Sequence, residues 1–310
     1  MTSILAAVPP LDLERWQWTS EAGLEVSGWR SPNAGQNKPV LVFLHGNGFA
    51  QKIYSPLLSL LSVEFDLYLP EAPNHGEALQ TSRFIGWNAT AKLYAEHLDE
   101  VSCEWSDWYL SGHSFGGVVS ILLANYVIRK PRMMVLLDPI ILPRPLVWMA
   151  RLQRAFKLTR FHPMVSITRN RRRKFSSYQE AYEYFDGRGA FKGWTRAALS
   201  SYVIHSLKSD DTGGLTLVTP PKAECDIYSS FAWGLRRHIG ALSVPCRILL
   251  GRSTFSYQQR AIKKVVKKHK ATSLEMVEGG HCFMQQFPED TASRLLSFVK
   301  NNENEVSSFL

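Results

Sequence analysis

One serine stands in a setting that would make it reactive. Gly112, Ser114 and Gly116 spell G-x-S-x-G, the pattern of a nucleophile elbow, in which a strained turn between strand and helix lifts the serine hydroxyl above a sheet. Glycine is needed two residues to either side, because a side chain there would collide as strand and helix fold back on one another, and Gly117 lets the helix sit closer still. The turn also aims a helix N-terminus at the reaction site, so the main-chain N–H of Phe115 becomes one donor of an oxyanion hole. A serine hydroxyl is a poor nucleophile near neutral pH and needs an imidazole to take its proton. A carboxylate must then accept the other ring N–H, fix the tautomer and stabilise the imidazolium as it forms. Nine histidines and 27 acidic residues are available for these two places.

The elements that must position them follow from the hydrophobic pattern. Trp108 to Ser111 suits a buried strand, and from Phe115 to Ile128 the chain is apolar on nearly every side, which predicts a buried helix. Upstream, Arg15 to Thr19 and Leu24 to Trp29 read as a hairpin, and Val40 to Leu44 is an unbroken apolar run of the kind found in parallel strands covered on both faces. That run ends in His45-Gly46-Asn47-Gly48. A helix near Ile53 to Leu61, a strand from Phe65 to Leu69, the loop holding Asn74-His75-Gly76 and a helix from Thr90 to Cys103 lead back to the elbow. Met133 to Leu137 is a further strand, ending in Asp138-Pro139. Strand and helix alternation resumes with Cys246 to Leu250, Tyr257 to His269, Ser273 to Val277 and Glu289 to Lys300, after which a polar tail from Asn301 is expected to fray. The 107 residues from 139 to 245 are too many for one crossover and imply an inserted cap. This stretch is rich in rings, among them Trp148, Phe156, Phe161, Phe175, Tyr178, Phe185, Trp194 and Tyr202; many must pack on one another, and a cap over the serine would also present such rings to an acyl or aromatic substrate group.

Taken together, Gly112-His113-Ser114-Phe115-Gly116, His45-Gly46-Asn47-Gly48 and Gly279-Gly280-His281 make the chain resemble the α/β-hydrolase family of the serine esterase and lipase type, over roughly Val40 to Lys300. The resemblance implies a mostly parallel sheet flanked by helices, with core segments 1–142 and 244–310 and a helical cap at 143–243, after the strand ending at Asp138. It places His281 over the elbow as base. It makes Asn47, the residue after His45-Gly46, the second oxyanion donor beside Phe115, and leaves His45 and His75 as structural loop residues. Relatives most often carry the acid after the strand that follows the cap, where this chain reads Leu250-Gly251-Arg252-Ser253-Thr254-Phe255 without a carboxylate. Some lipases carry it instead at the position of Asp138, which keeps the chain order serine, acid, histidine. A helix cap at Asp138, or a diad lacking an acid, is the alternative. Asp210, Asp211 and Asp226 fall in the cap and would need an unusual approach.

The expected reaction is cleavage of a carboxylic ester through an acyl-enzyme, with no metal or organic cofactor. An acyl-thioester hydrolase, or a small-molecule-binding protein on a hydrolase scaffold for which Thr254 is the best support, are the alternatives. Ser114 where haloalkane dehalogenases and epoxide hydrolases use aspartate disfavours those activities. Hydrophobic content of 45% with 20% charged residues is that of a globular chain, and no stretch reaches the roughly 18 apolar residues a membrane-spanning helix needs. Met1 to Pro10, with Ile4, Leu5 and Val8, has neither the basic nor the apolar region of a signal peptide. Cys103, Cys225, Cys246 and Cys282 are scattered without metal-site spacing, and Cys282 reads as a small buried residue. These features suit a cytoplasmic protein acting on a small molecule; oligomeric state is open. The net charge of +9 gathers at Arg169 to Lys174, which could attract an anionic substrate or a membrane surface but reads first as a solvated loop, and at Lys263 to Lys270, where apolar Ala261, Ile262, Val265 and Val266 alternate with lysines as on an amphipathic helix. Without a recognised motif, nucleic acid is not an expected partner.

Overall fold

The computed structural model describes residues 4, 6–78, 84–156, 158, 163–211 and 213–307; Leu5 and Phe161, named above, lie outside them. In chain order the strands and helices are β1 (Glu14–Thr19), β2 (Glu25–Arg30), β3 (Val40–Leu44), α1 (Ser55–Leu61), β4 (Asp66–Pro70), α2 (Trp87–Val101), β5 (Trp108–His113), α3 (Phe115–Tyr126) and β6 (Met134–Leu137). There follow α4 (Arg144–Ala155), α5 (Pro163–Asn170), β7 (Lys174–Phe175), α6 (Tyr178–Phe185), α7 (Arg196–Ser206), β8 (Leu207–Ser209), β9 (Leu215–Leu217), α8 (Pro221–Tyr228) and α9 (Leu235–Gly240). The chain closes with β10 (Cys246–Gly251), α10 (Ser256–Val266), β11 (Thr272–Val277), α11 (Phe283–Gln286) and α12 (Pro288–Ser307).

Eight strands form one sheet in the order β1-β2-β4-β3-β5-β6-β10-β11. Only β2 runs against the others, since it pairs antiparallel with β1 and β4 while every other pairing is parallel. The unbroken apolar runs make sense in this setting. Side chains alternate across a strand, so Val40, Val42 and Leu44 enter one core while Leu41 and Phe43 enter the other; Met134 and Leu136 likewise oppose Val135 and Leu137. Helices α2, α3, α9 and α10 contribute to the first core, and α1, α7 and α12 to the second. The elbow helix α3 is buried from Phe115 to Ala124 because it is covered by α2 and α9 as well as by the sheet.

Two expectations are corrected. The segment between β6 and β10 is not purely helical: β7, β9 and β8 form a three-stranded antiparallel sheet, whose strands of two or three residues are too short to carry a readable period. Many rings of that segment pack inward, as expected, with Phe185, Phe191, Trp194 and Tyr202 set on one another and on Phe49. Finally, α12 continues through Ser307 instead of fraying after Asn301, and the Tyr109 hydroxyl donates to the Glu303 carboxylate there. Among the described residues no helix is long and apolar enough to cross a membrane.

Candidate active site

Ser114 sits at the junction of β5 and α3 with φ 55° and ψ −110°, a strained conformation for a residue with a side chain. Its surroundings impose it. A Cβ on Gly112 would lie 2.7 Å from the Gly116 backbone, and one on Gly116 would overlap the Leu44 carbonyl. The Ser114 amide donates to Leu137 O at 3.0 Å, which ties the elbow to the end of β6.

That strand end carries Asp138, whose φ of 46° is also left-handed and whose side chain is fully buried. Its carboxylate accepts from four donors. Gly251 N reaches Oδ2 at 2.9 Å, while Thr254 Oγ1 at 2.9 Å, Gln258 Nε2 at 2.6 Å and His281 Nδ1 at 2.8 Å converge on Oδ1. Asp138 therefore caps no helix: the residues after it are irregular until α4. Thr254 holds the place where a carboxylate was sought, and it bonds to the carboxylate one strand away. These partners escaped the sequence reading. The signal available was Thr254 in the loop after β10 and Gln258, four residues on, in the first turn of α10.

His281 follows β11 and precedes α11. Its Nε2 lies 2.9 Å from Ser114 Oγ. Because the Asp138 oxygens face only donors, Nδ1 must carry the ring proton, leaving the Nε2 lone pair toward the serine hydroxyl. Ser114, Asp138 and His281 are thus brought together in one continuous hydrogen-bonded line.

The loop after β3 supplies the other wall. Among the described residues the main-chain amides of Asn47 and Phe115 donate to no protein acceptor. The loop itself is held firmly. His45 is buried, with Nδ1 donating to Gly46 O at 2.8 Å and Nε2 accepting from Ala72 N at 2.9 Å; burial, aided by His75, lowers its pKa to about 3, so it stays neutral. In the Asn47 side chain, Nδ2 donates to Glu224 O at 3.2 Å and Oδ1 lies 3.2 Å from His75 Nε2. Gly46 N donates to the Tyr54 hydroxyl at 3.0 Å, which in turn lies 2.7 Å from His113 Nδ1, and His113 Nε2 lies 3.0 Å from His281 O.

One proton arrangement satisfies that last chain: Gly46 N–H to Tyr54 O, Tyr54 O–H to His113 Nδ1, and His113 Nε2–H to the His281 carbonyl. Burial and the neighbouring His281 hold His113 well below the usual imidazole range, so it remains neutral and the arrangement is fixed. Tyr54 and His113 therefore link the loop of Gly46 and Asn47 to the loop of His281. Neither was singled out in the sequence, although His113 lies inside the elbow motif.

A second correction concerns the basic run from Arg169. Arg171 is not solvated; its guanidinium fork closes on the buried Glu224 carboxylate, whose oxygens lie where a Gly48 side chain would begin. Arg172 pairs with Glu180 and Lys174 with Asp210. The lysine-rich helix α10 is as expected, with Ala261, Ile262 and Val265 buried. Cys282 is buried and its thiol is pushed up to about 12 by burial. Among the described residues no three His, Cys, Asp or Glu side chains gather as metal ligands would.

Comparison with known proteins agrees with this fold. Residues 41–294 match the family model described as alpha/beta hydrolase family. Among solved structures, E-2-(acetamidomethylene)succinate hydrolase is similar with a TM-score of 0.75 at 18% identity, over 93% of this chain and 99% of its own. An esterase of Mycobacterium tuberculosis gives 0.69 at 19% identity, over 96% and 95% of the two chains. The thioesterase domain from the curacin biosynthetic pathway gives 0.69 at 14% identity, over 93% and 99%. No curated protein matches the sequence. At these identities the structural likeness concerns the fold.

Proposed function

The chain belongs to the alpha/beta hydrolase family, and from that premise we propose that it is a serine hydrolase cleaving a carboxylic ester through an acyl-enzyme. The observation that carries this reading is the position of His281, with one ring nitrogen 2.9 Å from Ser114 Oγ and the other 2.8 Å from Asp138. Ser114 Oγ attacks the ester carbonyl while His281 Nε2 takes its proton, and Asp138 accepts the Nδ1–H of the resulting imidazolium. The carbonyl oxygen becomes an oxyanion received by the Phe115 and Asn47 amides. Collapse of this intermediate breaks the bond to the alkoxy group, which leaves as an alcohol with the proton from His281. Water, deprotonated by His281, then attacks the acyl group and regenerates Ser114.

The binding-protein alternative rested on Thr254, and its hydroxyl has a role beside the acid instead. Substrate choice is assigned to the segment 143–243 acting as a cap, whose α8 and aromatic cluster touch the loop of Asn47 and Phe49. The test is hydrolysis of p-nitrophenyl esters and acyl thioesters of graded acyl length, with labelling by a serine-directed phosphonate. Turnover and labelling that both vanish in Ser114→Ala are expected. Labelling that persists in that variant, or a wild type inert toward every ester and thioester, would overturn the reading.

A further inference from the structure

The +9 charge of the chain has one source. Between Asp138 and Glu180 there are ten basic residues and not one acidic residue, which leaves 26 basic against 27 acidic in all the rest. The same stretch holds helix α4, where Trp148, Met149, Leu152 and Phe156 recur on about 100° of the helix circumference. They face outward: Trp148 is 63% and Phe156 70% exposed. Helix α5 adds an exposed Ile167, and Trp233 stands exposed beyond Arg151, whose guanidinium lies 5.6 Å from the Trp148 ring and 4.8 Å from the Trp233 ring. Globular proteins rarely leave so many large side chains together in water. Arg144, Arg169 and Arg173 are also exposed and enter no ion pair among the described residues.

We propose that α4 and the basic segment around it dock on the surface of an anionic phospholipid bilayer. A helix lying in the bilayer interface has large apolar and aromatic side chains on one face and arginine or lysine beside them. Indole rings suit the headgroup level, apolar in body and polar at the N–H. Arg144, one helical turn before Trp148, and Arg151, against the Trp148 ring, adjoin them and meet the negative surface potential of phosphatidylserine or phosphatidylglycerol. An acidic protein partner would be served by the charge alone and has no use for four outward apolar side chains on one stripe. Docking by this face seats the segment between β6 and β10 on the bilayer and needs no reaction at Ser114, so it stands or falls apart from the hydrolase reading.

The experiment uses full-length Ser114→Ala protein, so that no turnover alters the lipid, sedimented with vesicles of phosphatidylcholine alone or with one-third phosphatidylglycerol. Partitioning onto the anionic vesicles at least tenfold stronger than onto neutral ones is expected. It should weaken in 1 M salt, where the screening length falls from about 10 Å to about 3 Å. Two variants, W148S/L152S/F156S and R144E/R169E/R173E, should each lose about tenfold in partitioning with an unchanged unfolding temperature, since all six side chains are exposed. Equal binding to neutral and anionic vesicles, no binding to either, or full binding by both variants would overturn the proposal. So would sedimentation as a dimer that W148S/L152S/F156S dissociates without any vesicle binding, which would make the face a contact between two copies of this chain.

Discussion

Asp138→Asn removes one charge and almost no volume, and its consequences follow from the four donors around the carboxylate. Three converge on Oδ1 and one, the Gly251 amide, on Oδ2. If the asparagine keeps its oxygen toward the three, its NH2 faces the Gly251 N–H and two buried donors are opposed, a cost of about 1–3 kcal/mol in stability. If it turns over, the NH2 faces His281. The ring must then accept at Nδ1 and carry its proton on Nε2, aimed at Ser114, where it blocks proton abstraction. In either orientation the negative charge that stabilises the imidazolium is gone. Loss of that function in a serine, histidine and aspartate triad lowers kcat by about 10⁴, equivalent to about 5.5 kcal/mol of barrier. Steady-state hydrolysis of the best p-nitrophenyl ester, with a thermal melt of the same preparation, measures both effects. Activity of Asp138→Asn within tenfold of wild type in a folded protein would refute the assignment, since no other carboxylate reaches Nδ1 of His281 among the described residues.

Three further outcomes are expected. Adding Thr254→Asp to Asp138→Asn should recover about a hundredfold of the lost kcat, because the Thr254 hydroxyl is one hydrogen bond behind Asp138 and a carboxylate there can still lie along the imidazole; no recovery would mean that this strand end cannot orient His281. Tyr54→Phe leaves the Gly46 amide and His113 Nδ1 without their shared hydroxyl and should lower kcat about tenfold with little change in KM, while unchanged kcat would show that the linkage does not hold the oxyanion loop. Glu71 is buried and forms no ion pair among the described residues, and burial raises its pKa to about 7. Between about pH 4.5 and 7 the folded state therefore binds more protons than the unfolded state, so stability should fall as pH rises through that window, by up to about 3 kcal/mol. Denaturation followed across these pH values should show a flatter slope for Glu71→Gln; identical slopes would remove Glu71 as the cause.

Much of this site was legible because the elbow encodes its geometry locally. Gly112 and Gly116 are demanded by contacts within one turn and with the neighbouring strand, and the apolar runs of β3 and β6 register burial on both faces directly. Asp138 could be reached from its place at a strand end. The donors that surround its carboxylate beside His281 could not, because Gly251, Thr254 and Gln258 approach from more than a hundred residues away. Arg171 was misread for a related reason. In a run of arginines one side chain looks like another, and the buried Glu224 that singles it out lies 53 residues later. The short strands β7 to β9 left no trace in the pattern because two or three residues cannot display alternation.

The attachment of Asn47 to the segment between β6 and β10 bears on how far substrate choice can evolve independently of rate. Glu224, on α8, offers its main-chain carbonyl to the Asn47 side chain, and Phe49 two residues on packs against Trp194 and Tyr202. On the proposed reading, the region assigned to substrate choice is thus also a wall of the loop that holds the proposed oxyanion donor Asn47. Exchanging it for the corresponding region of another hydrolase would not be a modular swap: a graft lacking an equivalent of α8 would change the acceptor specificity and loosen the oxyanion amide in the same stroke. Adaptation to new substrates is therefore confined to side chains that leave the α8 backbone and its ring cluster in place.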